Sequence, residues 1–519
     1  MSDWFSPFKH VSWHPDNAMV QALAAFLLVT LPWLNPFSPG PTPAVVPLLF
    51  SWVCMALLLL VWASTARRWP DSVRAVAMAW LAAALLSALI GLLQYFELTD
   101  RFWPWINSTS GGMAFGNLRQ RNQFASLMNI GLAALLWWTA HRSERNVNGG
   151  VWPRWSWRMV MAVAMGALIG AGNAASSSRT GLFQLLLFTG MTLYWWHRTE
   201  MVRSDDVPKL LFAVVLAFGV ATVALPWLAG LDPASHGAWA RLRAGDPVCA
   251  SRLTLWRNVL YLIAQKPWVG WGWGELDYAH FITLYPGERF CDILDNAHNL
   301  PLHLAVELGL PVALAVCGAG AWLVWLTKPW REKEGARQMA WAILAVILLH
   351  SLLEYPLWYG PFQMAAILCI AFLGRRKWAS NWPLTPVHQA FVAISLIAIC
   401  SFAALQYHRA SQIYLSPGQR AAAYREDTLN KIRDVLLFQD QVRFAELTTT
   451  DLTVANAPHI NWLAKEMLHF SPEAVVVESI VDSALLLKRD AEAQFYLARY
   501  QAAFPKAYAN WVKLRLSIP

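Results

Sequence analysis

Four short stretches hold the residues best suited to chemistry. "LDNAHNLPL" (294–302) sets His298 and Asn299 at the threshold of an apolar run, with Pro301 where it suits a first helical turn. A helix N-terminus favours neutral imidazole over imidazolium, so a proton acceptor is expected there, although helix capping accounts for a histidine at this place as well. His303 and Glu307, four apart, share the next turns. In "HSLLEYPLWYGPF" (350–362) His350 and Glu354 have the same spacing, and Tyr355 precedes the helix-breaking Pro356. "GNLRQRNQFASLMNIG" (116–131) gathers Arg119, Gln120, Arg121 and Asn122 just before an apolar run, where polar groups are costly unless paired and where free helix N–H groups attract anions. Arg179 in "NAASSSRTGLF" either snorkels to lipid headgroups or grips a phosphate. Several guanidinium groups around one neutral histidine suit departure of a diphosphate while a base activates a hydroxyl. A zinc site built on the two His-x-x-x-Glu pairs is the competing reading. Hydrogen-bonded helix contacts explain those pairs as well, and no denser ligand motif is present, so no metal is expected.

These residues must be positioned by membrane helices. The 519-residue chain is 57% hydrophobic, only 14% charged, and carries 31 Trp, far from the usual soluble balance. Apolar runs near the twenty residues a bilayer requires predict eleven spans: 19–34, 43–64, 73–96, 122–140, 159–175, 181–196, 209–230, 302–326, 339–355, 357–373 and 387–406. Residues 1–18 lack the basic start, apolar stretch and cleavage site of a removable signal. Every second loop is basic, through Arg67, Arg68 and Arg74; Arg142, Arg145, Arg154 and Arg158; Arg198, Arg203 and Lys209; Lys328, Arg331, Lys333 and Arg337; and Arg375, Arg376 and Lys377. Those loops are expected in the cytoplasm. Residues 231–297 then form a long periplasmic loop and residues 408–519 a periplasmic tail. Arg252, Arg257 and the four stretches above all fall at the outer face.

The expected organisation is a cytoplasmic N-terminus (1–18), seven spans (19–230), the loop (231–297), four spans (298–407) and the tail (408–519). The fold class is all-α: a polytopic membrane bundle with a helical, tetratricopeptide-like C-terminal domain, or an ordinary small helical domain in its place. Within the loop, "SRLTLWRNVLYLIAQ" has helical spacing. Cys249 and Cys291 share that loop, where an oxidising compartment permits a disulfide and two free thiols are the alternative. The net charge of +9 is mostly topological; from residue 408 onward 13 Lys and Arg face 12 Asp and Glu, which leaves no basic surface for nucleic acid.

Taken together, "GNLRQRNQFA", "SSSRTG", "SRLTLW", "PWVGWGWGELD", "DNAHNLPLHLAVELG" and "HSLLEYPLWY" resemble the bacterial O-antigen ligase and polymerase superfamily, most nearly its PglL-type protein O-oligosaccharyltransferases. The resemblance covers roughly residues 110–380. It implies a membrane glycosyltransferase that takes a glycan from undecaprenyl diphosphate at the periplasmic face of the inner membrane, with neither metal nor nucleotide cofactor. It implies His298 as base, with Asn299 and with Gly309 eleven positions on; Arg179 and Arg252 at the diphosphate; and Gln120, Asn122 and Tyr355 as further polar positions. The first signature departs from the family in having Arg121 where proline is usual, which adds a potential phosphate contact. A hundred-residue tail on the acceptor side favours a protein acceptor, a Ser or Thr of a pilin-like substrate. An O-antigen ligase acting on lipid A-core or a Wzy-like polymerase is the runner-up. A lipid-linked glycan flippase would need polar residues open to both faces, whereas here they gather at one.

Overall fold

The computed structural model describes residues 15–63, 69–143, 157–198, 206–237, 241, 243, 245, 247–378 and 385–516. Arg67, Arg68, Arg145, Arg154 and Arg203 of the basic loops lie outside these residues, as do the first fourteen. Among the described residues the chain is helical, without strands. Seven helices come first: α1 (Pro15–Leu34), α2 (Val45–Ala63), α3 (Trp69–Tyr95), α4 (Arg121–Ser143), α5 (Trp157–Ala175), α6 (Arg179–Arg198) and α7 (Asp206–Leu228). Three shorter ones follow, α8 (Arg252–Gln265), α9 (Leu276–Ile282) and α10 (Leu300–Leu308). The bundle then resumes with α11 (Leu310–Thr327), α12 (Gly335–Ser351), α13 (Gly360–Trp378) and α14 (Pro386–Ser411). The tail contains α15 (Thr428–Ile432), α16 (Gln439–Thr449), α17 (Ala457–Met467), α18 (Ala474–Leu486), α19 (Asp490–Ala503) and α20 (Pro505–Leu516).

A helix overlaps each expected span. Six of them, α2, α3, α5, α7, α11 and α14, are long and apolar enough to cross a membrane, and α1, α12 and α13 hold shorter apolar stretches. The polarity of α4 and α6 has a structural cause. Gln184 donates to Ser126 Oγ at 2.7 Å and to the Val346 carbonyl at 3.1 Å, and Asn129 donates to the Gly181 carbonyl at 3.3 Å. Polar groups paired this way bind helices together where lipid offers no hydrophobic drive. At the centre α3 packs on α1, α4 and α5; α12 bridges α4, α6 and α13; α14 lies along α2. Trp80, Phe124, Leu127 and Met128 are fully buried in that core.

The expected span 302–326 is in fact two helices, broken at Gly309. Its φ is +84°, and an added Cβ would lie 2.3 Å from the Trp268 carbonyl oxygen; Gly270 meets the Glu307 carbonyl oxygen at the same distance. Only glycine permits two backbones so close. The segment 267–272 crosses the break through hydrogen bonds from Trp271 N to Val306 O (2.9 Å), Gly272 N to Glu307 O (3.0 Å) and Leu310 N to Pro267 O (2.8 Å). Consequently α10 belongs with α8 and α9, in a core of Leu255, Val259, Leu262, Leu276, Leu294 and Val306. The loop unit therefore runs beyond residue 297, and the next long apolar helix begins at Leu310. Likewise Pro356–Trp358 forms a 3-10 turn, so α13 starts at Gly360 rather than 357.

The tail is anchored to that loop unit. Phe281 of α9 enters the tail core formed by Ile460, Leu463, Val476, Ile480 and Tyr500. Arg499 donates to the Ile282 carbonyl at 2.8 Å, and His469 contacts Glu275 at 2.6 Å while stacking on Tyr278. A second joint lies at the α1–α2 connection, where Tyr407 of α14 donates to the Pro39 carbonyl at 2.9 Å and Gln441 of α16 donates to Thr42 Oγ1 at 3.2 Å.

Candidate functional site

The site is assembled around Glu354, in the connection between α12 and α13. His298 has φ +50°, a left-handed conformation steadied by its N–H donating to Asn296 Oδ1 at 2.8 Å. Asn299 caps α10, accepting from Leu302 N at 3.1 Å, and its amide donates to the Leu352 carbonyl at 3.0 Å. That bond draws residues 352–355 beneath the imidazole. His298 Nδ1 lies 2.6 Å from Glu354 Oε2. Arg252, the first residue of α8, pairs with Glu354 Oε1, which also accepts from Asn122 Nδ2 at 3.2 Å. Asn122 Oδ1 in turn accepts from Ser178 Oγ at 2.6 Å, and Ser178 immediately precedes Arg179 at the start of α6.

One hydrogen-bonded chain, Ser178–Asn122–Glu354–His298, with Arg252 joined to it at Glu354, thus gathers the N-terminal ends of α4, α6, α8 and α10. Three of those helices begin with arginine: Arg121, Arg179 and Arg252. Helix N-termini carry about half a positive charge each, so the convergence forms an anion-favouring field with guanidinium groups at its edge.

Burial is the largest influence on the Glu354 carboxyl and would raise its pKa. The hydrogen bond and charge of His298, followed by the charges of Arg252 and His350, outweigh it and hold the carboxyl below its ordinary value. A carboxylate only accepts hydrogen bonds, so a neutral His298 carries its proton on Nδ1 and keeps the Nε2 lone pair. Tyr355 packs its ring edge-on to His298 at 5.0 Å, and burial pushes its hydroxyl pKa well up, so it acts only as a neutral group.

Several of the other expected residues take structural parts. Gln120 Oε1 accepts from Gln123 N at 2.7 Å and so caps α4. Arg119 donates to the carbonyls of Pro36 (2.6 Å) and Ser38 (3.2 Å) and stitches two connections together. Arg121 lies 3.8 Å from Met113 Sδ, and Arg257 is exposed along α8. His350 turns its side chain to Ser126 Oγ at 2.9 Å, while its carbonyl accepts from the Glu354 N–H at 2.8 Å, so this four-residue spacing closes a backbone turn. His303 and Glu307 stay 3.5 Å apart. Burial lowers His303 to about 4 and raises Glu307 to about 7, so in that range they meet as neutral groups rather than as an ion pair. Cys249 and Cys291 lie side by side as a disulfide, Cα–Cα 5.2 Å, which ties the segment before Arg252 to the segment before His298. Among the described residues, no group of three or more His, Cys, Asp and Glu side chains is placed to hold a metal ion.

Sequence reasoning listed Glu354 among several polar positions and missed its place at the centre. It also missed Ser178, whose signal was present: a serine directly before Arg179 is where a helix cap is expected.

Three family matches cover this architecture. Residues 114–138 match a family described as protein glycosylation ligase, residues 164–317 one described as O-antigen ligase, and residues 338–518 the C-terminal part of a virulence-factor membrane-bound polymerase. The resemblance seen in the six motifs therefore holds, and with six helices apolar enough to cross a bilayer the chain is a multi-pass membrane protein. The site draws on all three segments: Asn122 from the first, Arg179, Arg252 and His298 from the second, Glu354 and Tyr355 from the third. Two relatives in Acinetobacter baylyi are similar. One, a general O-oligosaccharyltransferase, is 27% identical over 301 residues, 54% of this chain and 47% of the relative. The other, a ComP-specific O-oligosaccharyltransferase, is 24% identical over 305 residues, 57% of this chain and 50% of the relative. The chain spans about half the length of these curated relatives. No solved structure matches it.

Proposed function

We propose that this chain is a membrane glycosyltransferase that moves a preassembled glycan from undecaprenyl diphosphate to a Ser or Thr hydroxyl of a periplasmic, pilin-like protein. In this reading eleven helices span the inner membrane, and the site, the loop unit and the tail face the periplasm. The observation that carries it is a histidine held by a buried carboxylate among three arginine-headed helix starts. Glu354 fixes the Nδ1–H tautomer, so Nε2 takes the proton of the acceptor hydroxyl as the hydroxyl oxygen bonds to the anomeric carbon. The bond from that carbon to the diphosphate oxygen breaks, and the lipid diphosphate leaves with the electron pair. Arg179, Arg252 and Arg121, with the helix N-termini, balance its charge. The proton on His298 then passes to water. No cofactor or metal enters this scheme.

The names of the two relatives support a protein acceptor, and the tail joined to α9 offers a surface for one. The O-antigen ligase and polymerase matches keep lipid A-core, or a growing glycan, as the second reading. Incubating purified protein and lipid-linked glycan with either a pilin or lipid A-core distinguishes them. Mass gain by the pilin is expected; gain by lipid A-core alone rejects the protein acceptor.

A further inference from the structure

A strip of aromatic rings leads away from His298. Tyr355 packs on the imidazole at 5.0 Å, Trp358 lies 6.5 Å from Tyr355, and Trp273 is nearly parallel to Trp358, with 13° between planes and centroids 6.3 Å apart. The buried His303 stands edge-on to both indoles, at 5.2 Å from Trp358 and 6.1 Å from Trp273. Trp273 is 62% exposed and Trp358 36%.

Single exposed apolar residues need no explanation, but these two are held in place. Trp273 stands between Gly272 (φ +120°) and Gly274 (φ +80°), a path few other residues adopt, and Gly272 N is pinned to the Glu307 carbonyl at 3.0 Å. Trp358 ends the 3-10 turn begun by Pro356. Two fixed, near-parallel indoles continuous with a catalytic histidine form a surface suited to a flat ligand with an apolar face.

We propose that Trp273 and Trp358 form a stacking platform for a sugar ring of the lipid-linked donor, an inference that rests on the glycosyltransferase reading. The axial C–H face of a pyranose is apolar and slightly positive, which complements the negative face of an indole, while its hydroxyls stay wet at the edge. A donor moved as a whole glycan presents several such rings, and holding one of them fixes the reacting anomeric carbon; a Ser or Thr side chain presents none. Membrane anchoring fits the tip of the same segment better, where Trp268 and Val269 are 74% and 76% exposed.

The test uses purified full-length protein. Trp273→Ala and Trp358→Ala should each raise the KM for a multi-sugar donor about tenfold, and Trp273→Tyr should recover most of the loss. Unchanged KM in both alanine variants overturns the platform. A second readout needs no transfer: saturation-transfer NMR from protein aromatic protons to the oligosaccharide released from the same donor by mild acid. Signal on axial ring protons is expected in the parent and should vanish in the double alanine variant; equal signal in both overturns the proposal. Should an alanine variant melt early, Trp273→Leu keeps the apolar bulk without the ring, and it too should lose the signal. Tryptophan-dependent saturation transfer in a protein that glycosylates no acceptor would uphold the platform while the transferase reading fell. Normal transfer with both tryptophans dispensable would do the reverse.

Discussion

Glu354 and Glu307 are both buried and both close to a histidine, yet their carboxyl groups shift in opposite directions, Glu354 downward and Glu307 upward to about 7. The difference lies in what surrounds them. Glu354 receives His298 at 2.6 Å, the Arg252 guanidinium and the Asn122 amide, each supplied by a different segment. Glu307 receives a histidine of its own helix at 3.5 Å, which burial keeps neutral. Partners converging from distant segments sustain a charge; helical spacing alone leaves a neutral packing contact. The first arrangement can hold a base, and the second supports a fold.

The largest effect expected is that of His298→Ala, which should lower single-turnover transfer by roughly 10²- to 10⁴-fold while leaving the melting temperature near the parent's. A near-normal rate would remove His298 from the chemistry and erase the contrast. Glu354→Gln comes next. An amide no longer enforces the Nδ1–H tautomer, so a loss of about 10²-fold or more is expected, whereas Glu307→Gln should change the rate by less than about threefold. Equal losses in the two glutamine variants would mean that both carboxyls act only through folding. Smaller still is Arg252→Lys. Lysine keeps the charge but lacks the planar fork that, in the proposed reading, engages Glu354 and a phosphate together, so a loss of about tenfold in kcat/KM is expected, and a full rescue would reduce Arg252 to bulk charge.

Much of this was legible in the sequence. Apolar runs located the long helices, and residue types in "DNAHNLPL" and "HSLLEYPLWY" marked His298, Glu354 and Tyr355 as candidates. What the sequence did not disclose depends on backbone paths. Four polar residues at 119–122 looked alike, but Arg119 (φ +60°) and Gln120 are consumed by loop stitching and helix capping, and of the four Asn122 alone bonds to Glu354. The dyad joins residues 56 apart, beyond any local spacing rule, while both four-residue His–Glu spacings led away from it. Gly309 was noted as a motif position; its physical reason, a crossing strand of backbone at Trp268, is visible only in three dimensions.

The last prediction reads the two carboxyls through stability. Glu307 ionises near an ordinary 4.5 when unfolded and near 7 when folded, so between those values the folded protein binds more protons. Its favourable contribution is therefore complete below about 4.5, declines as pH rises towards 7 and is gone above it. Glu307→Gln has no such titration. In detergent, the melting temperature of the variant should match the parent's near pH 4.5 and exceed it above pH 7, by an amount corresponding to on the order of 3 kcal/mol. Glu354 works in the other sense: its folded pKa is depressed, so its contribution is present above the unfolded value and is lost as pH falls through the folded one. If Glu307 were instead ion-paired with His303, its substitution would lower the melting temperature at neutral pH. That outcome would make the two glutamates equivalent and remove the distinction between a carboxylate that holds a base and one that only packs.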